Sequence, residues 1–400
     1  MTAEAAVAPT YDPYDYAIHE DPYPTYAALR ELAPVYFNEA HNFWALSRHA
    51  DVVAAFRDAD RFSSADGVSL DPAATGPHAH KTMSFLAMDQ PRHGKMRRLV
   101  SKGFTPRRVQ DLEPRVRAIT DEHLAPALEL GTFDFIDDLA GKVPMDVVSE
   151  LLGVPPADRT ELRRLADLVV HRDDGVFDVP PAAMEAAFSL AMYYVDLVAE
   201  RRKSPKDDLI SALLDVDVDG ERLSDDDLAG FVFLMVVAGN ETTTKLLGHC
   251  WYWAWKHPEQ LAKPLADPAR IVDWVEETVR FDASTQMLAR TTTAAVDLHG
   301  VTIPAGGRVL LLLGSGNRDD RVFVDPDRYD LDRDTSDLLS FGNGRHFCLG
   351  ASLARLEARV VLEQLLTRVA GYDIAEAAAS RVHSINVRGF AHLPTTVRLR

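Results

Sequence analysis

One cysteine near the C-terminal end of the chain has surroundings that suit a metal ligand. Cys348 ends the glycine-containing segment 341–348, and the apolar residues that follow it recur at helical spacing: Leu349, Leu353, Leu356, Val360 and Val361. We expect its sulfur at a helix N-terminus, where free backbone N–H groups and the helix dipole favour a thiolate. Gly342 and Gly344 allow the loop to lie flat against a bulky planar group. The alternative for a lone cysteine is a small buried hydrophobe, which is our interpretation of Cys250.

A carboxylate and a hydroxyl stand together in the middle of the chain. Glu241 and Thr242 follow Ala238 and Gly239 within an apolar stretch. Glycine in a helix interior costs about 1 kcal/mol relative to alanine, which is tolerable where another group must approach the backbone. A buried carboxylate needs a partner or a chemical task. The alternative is a helix kink with a capping threonine.

Two further pairs of charged residues are spaced to share one helix face. Glu277 and Arg280 can form an ion pair, and His93 and Arg97 could together hold a carboxylate. Taken alone, each pair is equally typical of a solvated helix face.

The elements that position these residues are predicted to be mainly helical. Helical periodicity covers residues 111–130, 161–170, 182–202, 225–256, 271–281 and 351–366. Strand signals occur at 35–37 and 43–46, as in a hairpin, at 301–303 and 308–312, and from 382 to the C-terminus. The helix over 225–256, with Ser224 and Asp227 as a capping box, would be roughly 48 Å long and buried. We expect one large α+β domain over residues 1–400, mainly α with small β-sheets.

The composition narrows the classes of function and partner. The net charge of −18 argues against a nucleic-acid partner, because phosphate binding requires a basic surface. Two cysteines provide no disulfide framework, which suits a reducing cytoplasm. The longest apolar run, from Phe231 to Gly239, is too short to span a bilayer, and no signal peptide is evident. We therefore expect a cytoplasmic monomer that binds no membrane.

One segment opposes the acidic average. The basic segment, residues 92–108, contains no carboxylate and carries these cations: Arg92, Lys95, Arg97, Arg98, Lys102, Arg107 and Arg108. It is either a solvated helix face or a docking site for an acidic partner.

In their order and spacing, these motifs resemble those of the cytochrome P450 family, the haem-thiolate monooxygenases. The segment that ends at Cys348 matches the family pattern Phe-Gly-x-Gly-x-His-x-Cys-x-Gly, and the resemblance covers most of the chain. It implies a P450-like fold with the long central helix over a haem b group. It implies Cys348 as the proximal iron ligand, whose electron density helps to cleave the O–O bond. It also implies two sets of haem contacts, His93, Arg97, Arg290 and His346 at the propionates, and Ala238, Gly239, Phe341, Gly342 and Gly350 near the ring.

The resemblance also implies the chemistry. Glu241 and Thr242 match the acid–alcohol pair that delivers protons to bound dioxygen. The triad that stabilises the proximal side is matched by Glu277, Arg280 and Arg328. The implied reaction inserts one oxygen atom from O2 into a C–H bond of a small hydrophobic substrate. The residues expected to line its pocket are Phe85, Leu86, Leu234, Val237, Leu288 and Val387.

The chain has no flavin or iron–sulfur region, so its two electrons must come from outside. We expect an acidic ferredoxin, reduced by a ferredoxin reductase, to dock on the basic segment. Two alternatives stay open: a haem-thiolate enzyme that uses peroxide directly, and a non-catalytic haem-binding protein that senses or recruits.

Overall fold

Helices account for most of the fold, as the spacing of apolar residues predicts. The structure, a computed structural model, describes residues 9–171, 173, 179–217 and 220–400. The helices are α1 (Tyr16–Glu20), α2 (Tyr23–Leu32), α3 (His49–Arg57), α4 (His80–Met83), α5 (Arg92–Val100), α6 (Pro106–Asp111), α7 (Glu113–Leu130), α8 (Lys142–Leu151), α9 (Pro156–Val170), α10 (Pro181–Lys203), α11 (Leu209–Leu214), α12 (Asp225–Lys256), α13 (Pro258–Ala266), α14 (Ile271–Phe281), α15 (Leu313–Gly316) and α16 (Ala351–Arg368).

The strands are short. They are β1 (Val35–Asn38), β2 (Phe43–Leu46), β3 (Phe62–Ser63), β4 (Thr132–Asp134), β5 (Met287–Thr292), β6 (Val296–Leu298), β7 (Val301–Ile303), β8 (Arg308–Leu312), β9 (Val369–Ile374), β10 (Ser380–Arg381), β11 (Phe390–His392) and β12 (Pro394–Leu399). The prediction of a mainly α fold with small β-sheets is confirmed.

The long helix α12 has the bounds that its caps and periodicity predict. Ser224 Oγ accepts a hydrogen bond from the backbone N–H of Asp227 at 3.1 Å, and the helix ends before His257 and Pro258. One apolar cluster joins α12 to α7, α8, α14 and α16. A second cluster joins α12 to α5, α8, α9 and α10. Because it lies between two cores, α12 buries residues on opposite faces, and polar groups at its centre are held away from bulk water.

The largest sheet has the strand order β1-β2-β8-β5-β3. β1 and β2 form the predicted antiparallel hairpin, with Val35 opposite Leu46. β8 runs parallel to β2 and antiparallel to β5. The strands on either side of residues 304–307 do not pair with each other, since β7 pairs with β6. Smaller sheets have the orders β4-β12-β9 and β10-β11.

Two boundaries differ from the prediction. The helix predicted over 111–130 is divided at Leu112, and α7 begins at Glu113 with Pro114 in its first turn. Proline has no backbone N–H and is tolerated in a first turn but not in a helix interior. The strand predicted from residue 382 onward is also interrupted, because β10 ends at Arg381 and β11 begins at Phe390.

Among the described residues, α10 is long and apolar enough to cross a membrane by length and composition alone. It packs against α9 and α12. Leu190 and Tyr194 lie in the second apolar cluster, whereas Met184 and Phe188 are exposed. Core helices of soluble proteins meet the same criterion of length and composition.

A buried ion pair connects α14 to the segment that precedes Cys348. Arg280 donates from Nε and Nη2 to the two carboxylate oxygens of Glu277 at 2.8 and 2.7 Å. Its Nη1 donates to the carbonyl oxygens of Asn317 and Pro326, each at 2.9 Å. The Asn317 side chain accepts a hydrogen bond from the Leu339 N–H at 2.6 Å. The ion pair thus fixes the path of the chain into the cysteine loop.

The third member of this group is Arg333 and not Arg328, so the assignment of Arg328 was wrong. Arg333 Nε lies 3.3 Å from Glu277 Oε1, and its side chain is only 9% exposed. The side chain of Arg328 is 63% exposed, and its guanidinium lies 3.7 Å from Asp330. The contact of Arg328 with this ion pair is made by its backbone carbonyl oxygen, which accepts a hydrogen bond from Arg280 Nη2 at 3.3 Å.

We predict that Arg333→Ala lowers the free energy of unfolding far more than Arg328→Ala. The first change leaves part of the buried Glu277 charge without its partner and should cost about 3–5 kcal/mol. The second change removes an exposed side chain and should cost about 0.5 kcal/mol or less. Urea unfolding of both variants measures the difference, and equal losses would contradict the assignment.

Candidate active site

The cysteine loop folds back on itself before α16 begins. Gly342 and Gly344 have φ angles of +71° and +67°, which residues with side chains rarely adopt. The backbone N–H of Cys348 donates to the carbonyl oxygen of Phe341 at 2.8 Å and closes the loop. Gly350 is the N-cap of α16, so the sulfur precedes the helix N-terminus by two residues.

The surroundings of Cys348 act on the pKa of its thiol in opposite directions. Although the residue is solvent-accessible, the protein around its sulfur displaces water and raises the pKa of the thiol. The N–H groups of Gly350 and Ala351 and the guanidinium groups of Arg97 and Arg355 offset this rise only in part. A metal cation bound to the sulfur would supply the charge that displaces the proton.

Four residues from distant parts of the sequence come together beside the loop. His93 and Arg97 lie on α5, Arg290 on β5 and His346 in the cysteine loop. The rings of His93 and His346 are 4.0 Å apart between centroids. Arg97 Nη2 donates to the carbonyl oxygen of Phe347 at 2.6 Å. These are the residues expected at the propionates.

The positive charge of this group is not balanced locally. None of the four side chains has an ion pair with a carboxylate within the described ranges. His93 Nε2, His346 Nδ1 and Arg97 Nη1 are buried and have no hydrogen-bond partner there. Burial and the nearby Arg97 lower the pKa of His93 to about 4. Burial and Arg290 lower the pKa of His346 to about 2.

Arg308 extends this positive region, and sequence reasoning missed it. It lies on β8 beside β5, where its Nη1 donates to Thr291 Oγ1 at 3.1 Å. Burial and the proximity of Arg308 lower the pKa of Arg290 to about 10. Buried, unneutralised donors of this kind are stabilised by an anion, and the two propionates of a haem carry the required charge.

The glycines near the predicted ring leave room for a flat group. A Cβ added at Gly350 would meet nothing within 4 Å, and one at Gly239 would meet only Val148 Cγ2 at 3.3 Å. Phe341 packs against the first apolar cluster, and the Arg355 guanidinium lies 4.3 Å from its ring centroid. The donor set, the cysteine and these surfaces together fit the haem that the sequence implies.

The predicted acid–alcohol pair lies at the centre of α12. Thr242 Oγ1 donates to the carbonyl oxygen of Ala238 at 2.7 Å, so the lone pairs of the hydroxyl remain available to accept. Glu241 is 2% exposed, and its Oε2 lies 3.2 Å from Lys245 Nζ. Asp167, on α9, interacts electrostatically with Glu241.

Lys245 and Asp167 were missed by the sequence analysis for different reasons. Lys245 follows Glu241 by four residues in a helix that is apolar on nearly every face, and this spacing could have identified it. Asp167 lies 74 positions before Glu241 in the chain, on a helix whose contact with α12 no local pattern predicts.

The residues predicted to line the substrate pocket divide into two groups. Phe85, Leu86, Leu234 and Val237 belong to the second apolar cluster or pack against it. Leu288 packs against a different cluster, built on the largest sheet, and Val387 forms an isolated bridge with Thr285. Contact with a substrate stays a prediction for all six.

The comparisons with known proteins agree with this geometry. The model of the cytochrome P450 family matches residues 271–370. A putative cytochrome P450 123 of Mycobacterium tuberculosis is 57% identical over 390 residues, 97% of each chain. The vitamin D(3) 25-hydroxylase of Pseudonocardia autotrophica is 39% identical over 97% of this chain and 96% of its own. The solved structure of cytochrome P450 CYP109Q5 from Chondromyces apiculatus has a TM-score of 0.87 and 36% identity, with 98% of each chain covered.

We predict that Arg97→Ala weakens haem retention, whereas Arg98→Ala does not. Arg97 belongs to the unneutralised group, and a charge-assisted hydrogen bond is worth about 1.5–3 kcal/mol, or roughly ten- to a hundredfold in affinity. Arg98 is the adjacent residue, exposed on the same helix. Haem transfer to apomyoglobin compares the two variants with the unmodified protein. Equal haem loss from both variants would remove Arg97 from the propionate site.

Proposed function

This chain belongs to the cytochrome P450 family and is a haem-dependent monooxygenase, and we propose that it oxidises a C–H bond of a small hydrophobic substrate with electrons from a ferredoxin. The observation that carries the proposal is that three features occur together. They are Cys348 ahead of α16, the buried cations without carboxylate partners in the described structure, and the acid–alcohol pair on α12, a helix that packs against α16.

We propose haem b as the form of the cofactor. The chain's two cysteines are Cys250, which is buried in α12, and Cys348. Covalent attachment through a pair of cysteines is thereby excluded. Cys348 would ligate the iron, and His93, Arg97, Arg290 and His346 would hold the propionates. Bound haem supplies the oxygen chemistry, which is activation of O2 and insertion of one oxygen atom into a C–H bond.

In this proposal the protein's own task is to control protons at the distal side. Thr242 donates its hydroxyl proton to Ala238, so its oxygen can accept a hydrogen bond from a water molecule or an O–H group in the site. Glu241, the preceding residue, can take up and release protons. It is buried, so its carboxyl group has little direct contact with bulk water.

The substrate we propose is apolar. The predicted lining residues Phe85, Leu234, Val237 and Leu288 are hydrophobic. One relative is, by its name, a hydroxylase of vitamin D(3). Spin-state titration of the ferric protein with a panel of hydrophobic compounds would identify the substrate for turnover experiments.

The electron donor we propose is an acidic ferredoxin that binds the basic segment. Not all of this segment is free, because Arg92 lies 3.1 Å from Asp227 and Lys95 lies 2.6 Å from Glu221. Arg98 and Lys102 form no ion pair within the described part of the chain. We therefore assign the docking charges to Arg98 and Lys102 before Arg92 and Lys95.

We predict that Thr242→Ala retains the haem spectrum but lowers the amount of product formed per NADH consumed severalfold, with hydrogen peroxide making up the difference. Loss of the accepting oxygen removes the group that holds a water molecule or O–H group in place for proton transfer. Thr243→Ala is the matched control, since Thr243 is the adjacent buried hydroxyl. Unchanged coupling in Thr242→Ala would refute the assigned role.

We predict that the double variant Arg98→Glu/Lys102→Glu raises the KM for ferredoxin severalfold at low ionic strength, and that the effect shrinks as salt is added. Arg398→Glu/Arg400→Glu, two exposed positions at the C-terminal end, makes the same change in net charge and is the control. A KM that responds equally to both variants would exclude docking at this site.

A further inference from the structure

Lys245 is a charged residue in the interior of the protein. It lies on α12, one turn after Glu241, and its side chain is only 5% exposed. Lysine is among the residues that are rarely buried without a charged partner. Lys245 Nζ lies 3.2 Å from Glu241 Oε2, and the Glu241 side chain is 2% exposed. Since water cannot solvate either group well, each charge depends on the other for its compensation.

The path of the Lys245 side chain is fixed by Gly389, which lies just before β11. A Cβ added to Gly389 would lie 2.4, 2.5 and 2.7 Å from Lys245 Cβ, Cγ and Cδ, far below the separation of about 3.5–4.0 Å that is favourable for two carbon atoms. These contacts involve the beginning of the side chain and not its mobile end. Gly389 is held in turn, because its carbonyl oxygen accepts a hydrogen bond from the N–H of Val382 at 3.0 Å. Glycine at this position therefore leaves the space through which Lys245 reaches Glu241.

The hydrogen bonds of this ion pair are incomplete. Glu241 Oε2 is buried and has no hydrogen-bond partner within the described residues, although the ammonium group is close to it. A second buried pair, Glu277 and Arg280, differs, because both oxygens of Glu277 accept hydrogen bonds from the guanidinium group of Arg280. A pair that only stabilises an interior needs its hydrogen bonds complete. The free acceptor on Glu241 therefore points to a bond that is made with a proton donor during the reaction.

We propose that Lys245 is a positioning residue that keeps the Glu241 carboxylate ionised and in place for proton delivery, an inference that rests on the proposed function. An ionised Glu241 can take up a proton that comes from solvent and pass it on towards Thr242, whereas a neutral Glu241 would first have to lose its own. In this transfer one O–H bond forms at Glu241 as the solvent donor loses its proton, and that bond breaks as the proton moves on. Lys245 retains its protons, and no electron changes place.

The charges around Glu241 make Lys245 the decisive cation. The charged groups that act on Glu241 are Lys245 on α12 and Asp167 and Arg163 on α9. Burial opposes the ionisation of Glu241, but Lys245 and these neighbours outweigh it and lower the pKa of Glu241. Arg163 already pairs with Asp137 at 3.2 Å. Without Lys245 the effect of burial should prevail, so the pKa of Glu241 should rise and its carboxyl group should become neutral.

The first test is the infrared spectrum of Lys245→Met, which keeps the length of the side chain but removes its charge. Relative to the unmodified protein, we expect the carbonyl stretch of a protonated carboxylic acid to appear at neutral pH in this variant and to be absent from Lys245→Met/Glu241→Gln. The comparison isolates Glu241, because every other carboxyl group is the same in the two variants. The measurement needs no substrate, and equal carboxylic-acid bands in the two variants would overturn the proposal.

Turnover gives the second test. Lys245→Met should retain the haem spectrum and the affinity for substrate, whereas product formed per NADH consumed should fall severalfold. Gly389→Ala should lower this ratio too, because the lysine is present but displaced. Gly371→Ala is the matched control, since its Cβ would meet only the guanidinium end of Arg398, which is exposed and can move.

The two tests fail in different ways. Unchanged coupling in Lys245→Met would show that the ion pair is only structural and would contradict the assigned role. If the unmodified protein turns over no compound, the proposed function fails, and the infrared comparison still decides whether Lys245 keeps Glu241 ionised.

Discussion

The bidentate ion pair between Glu277 and Arg280 is the interaction on which the cysteine loop depends. Two buried charges are stable in an interior only if their hydrogen bonds are complete. Here Arg333 and the carbonyl groups of Asn317 and Pro326 complete them. Because Asn317 also receives the N–H of Leu339, the pair determines where the chain enters the loop. The position of Cys348 therefore depends on charges that take no part in any reaction.

The two sides of the site differ in how their buried charges are compensated. Near the cysteine, His93, Arg97, Arg290 and His346 lack carboxylate partners in the described structure, so their desolvation is compensated only when an anion binds. In the distal helix α12, Glu241 already has Lys245 as its partner. The first arrangement favours permanent retention of a cofactor. The second keeps a carboxylate ionised in a dry interior, where a lone carboxyl group would be neutral.

The sequence was most informative where the signal was local. α12 and α14 have their predicted bounds because caps and periodicity act over a few residues. The cysteine loop could equally be predicted from the sequence, because its glycines adopt left-handed backbone angles that few other residues tolerate. Arg333 was missed because the pattern around Arg328 gives no information on which arginine turns inward. The contact between α9 and α12, which brings Asp167 towards Glu241, could not be predicted from the sequence, because tertiary packing alone creates it.

The ion pairs that Arg92 and Lys95 form with Asp227 and Glu221 bear on how long the proposed electron carrier would stay bound. A carrier that brings one electron at a time must bind, depart and return before a reaction that needs two electrons is complete. In the proposed docking, carboxylates of the protein that already occupy part of the basic segment would compete with those of the carrier and would shorten the lifetime of the complex. Such built-in competition would favour rapid exchange over tight association.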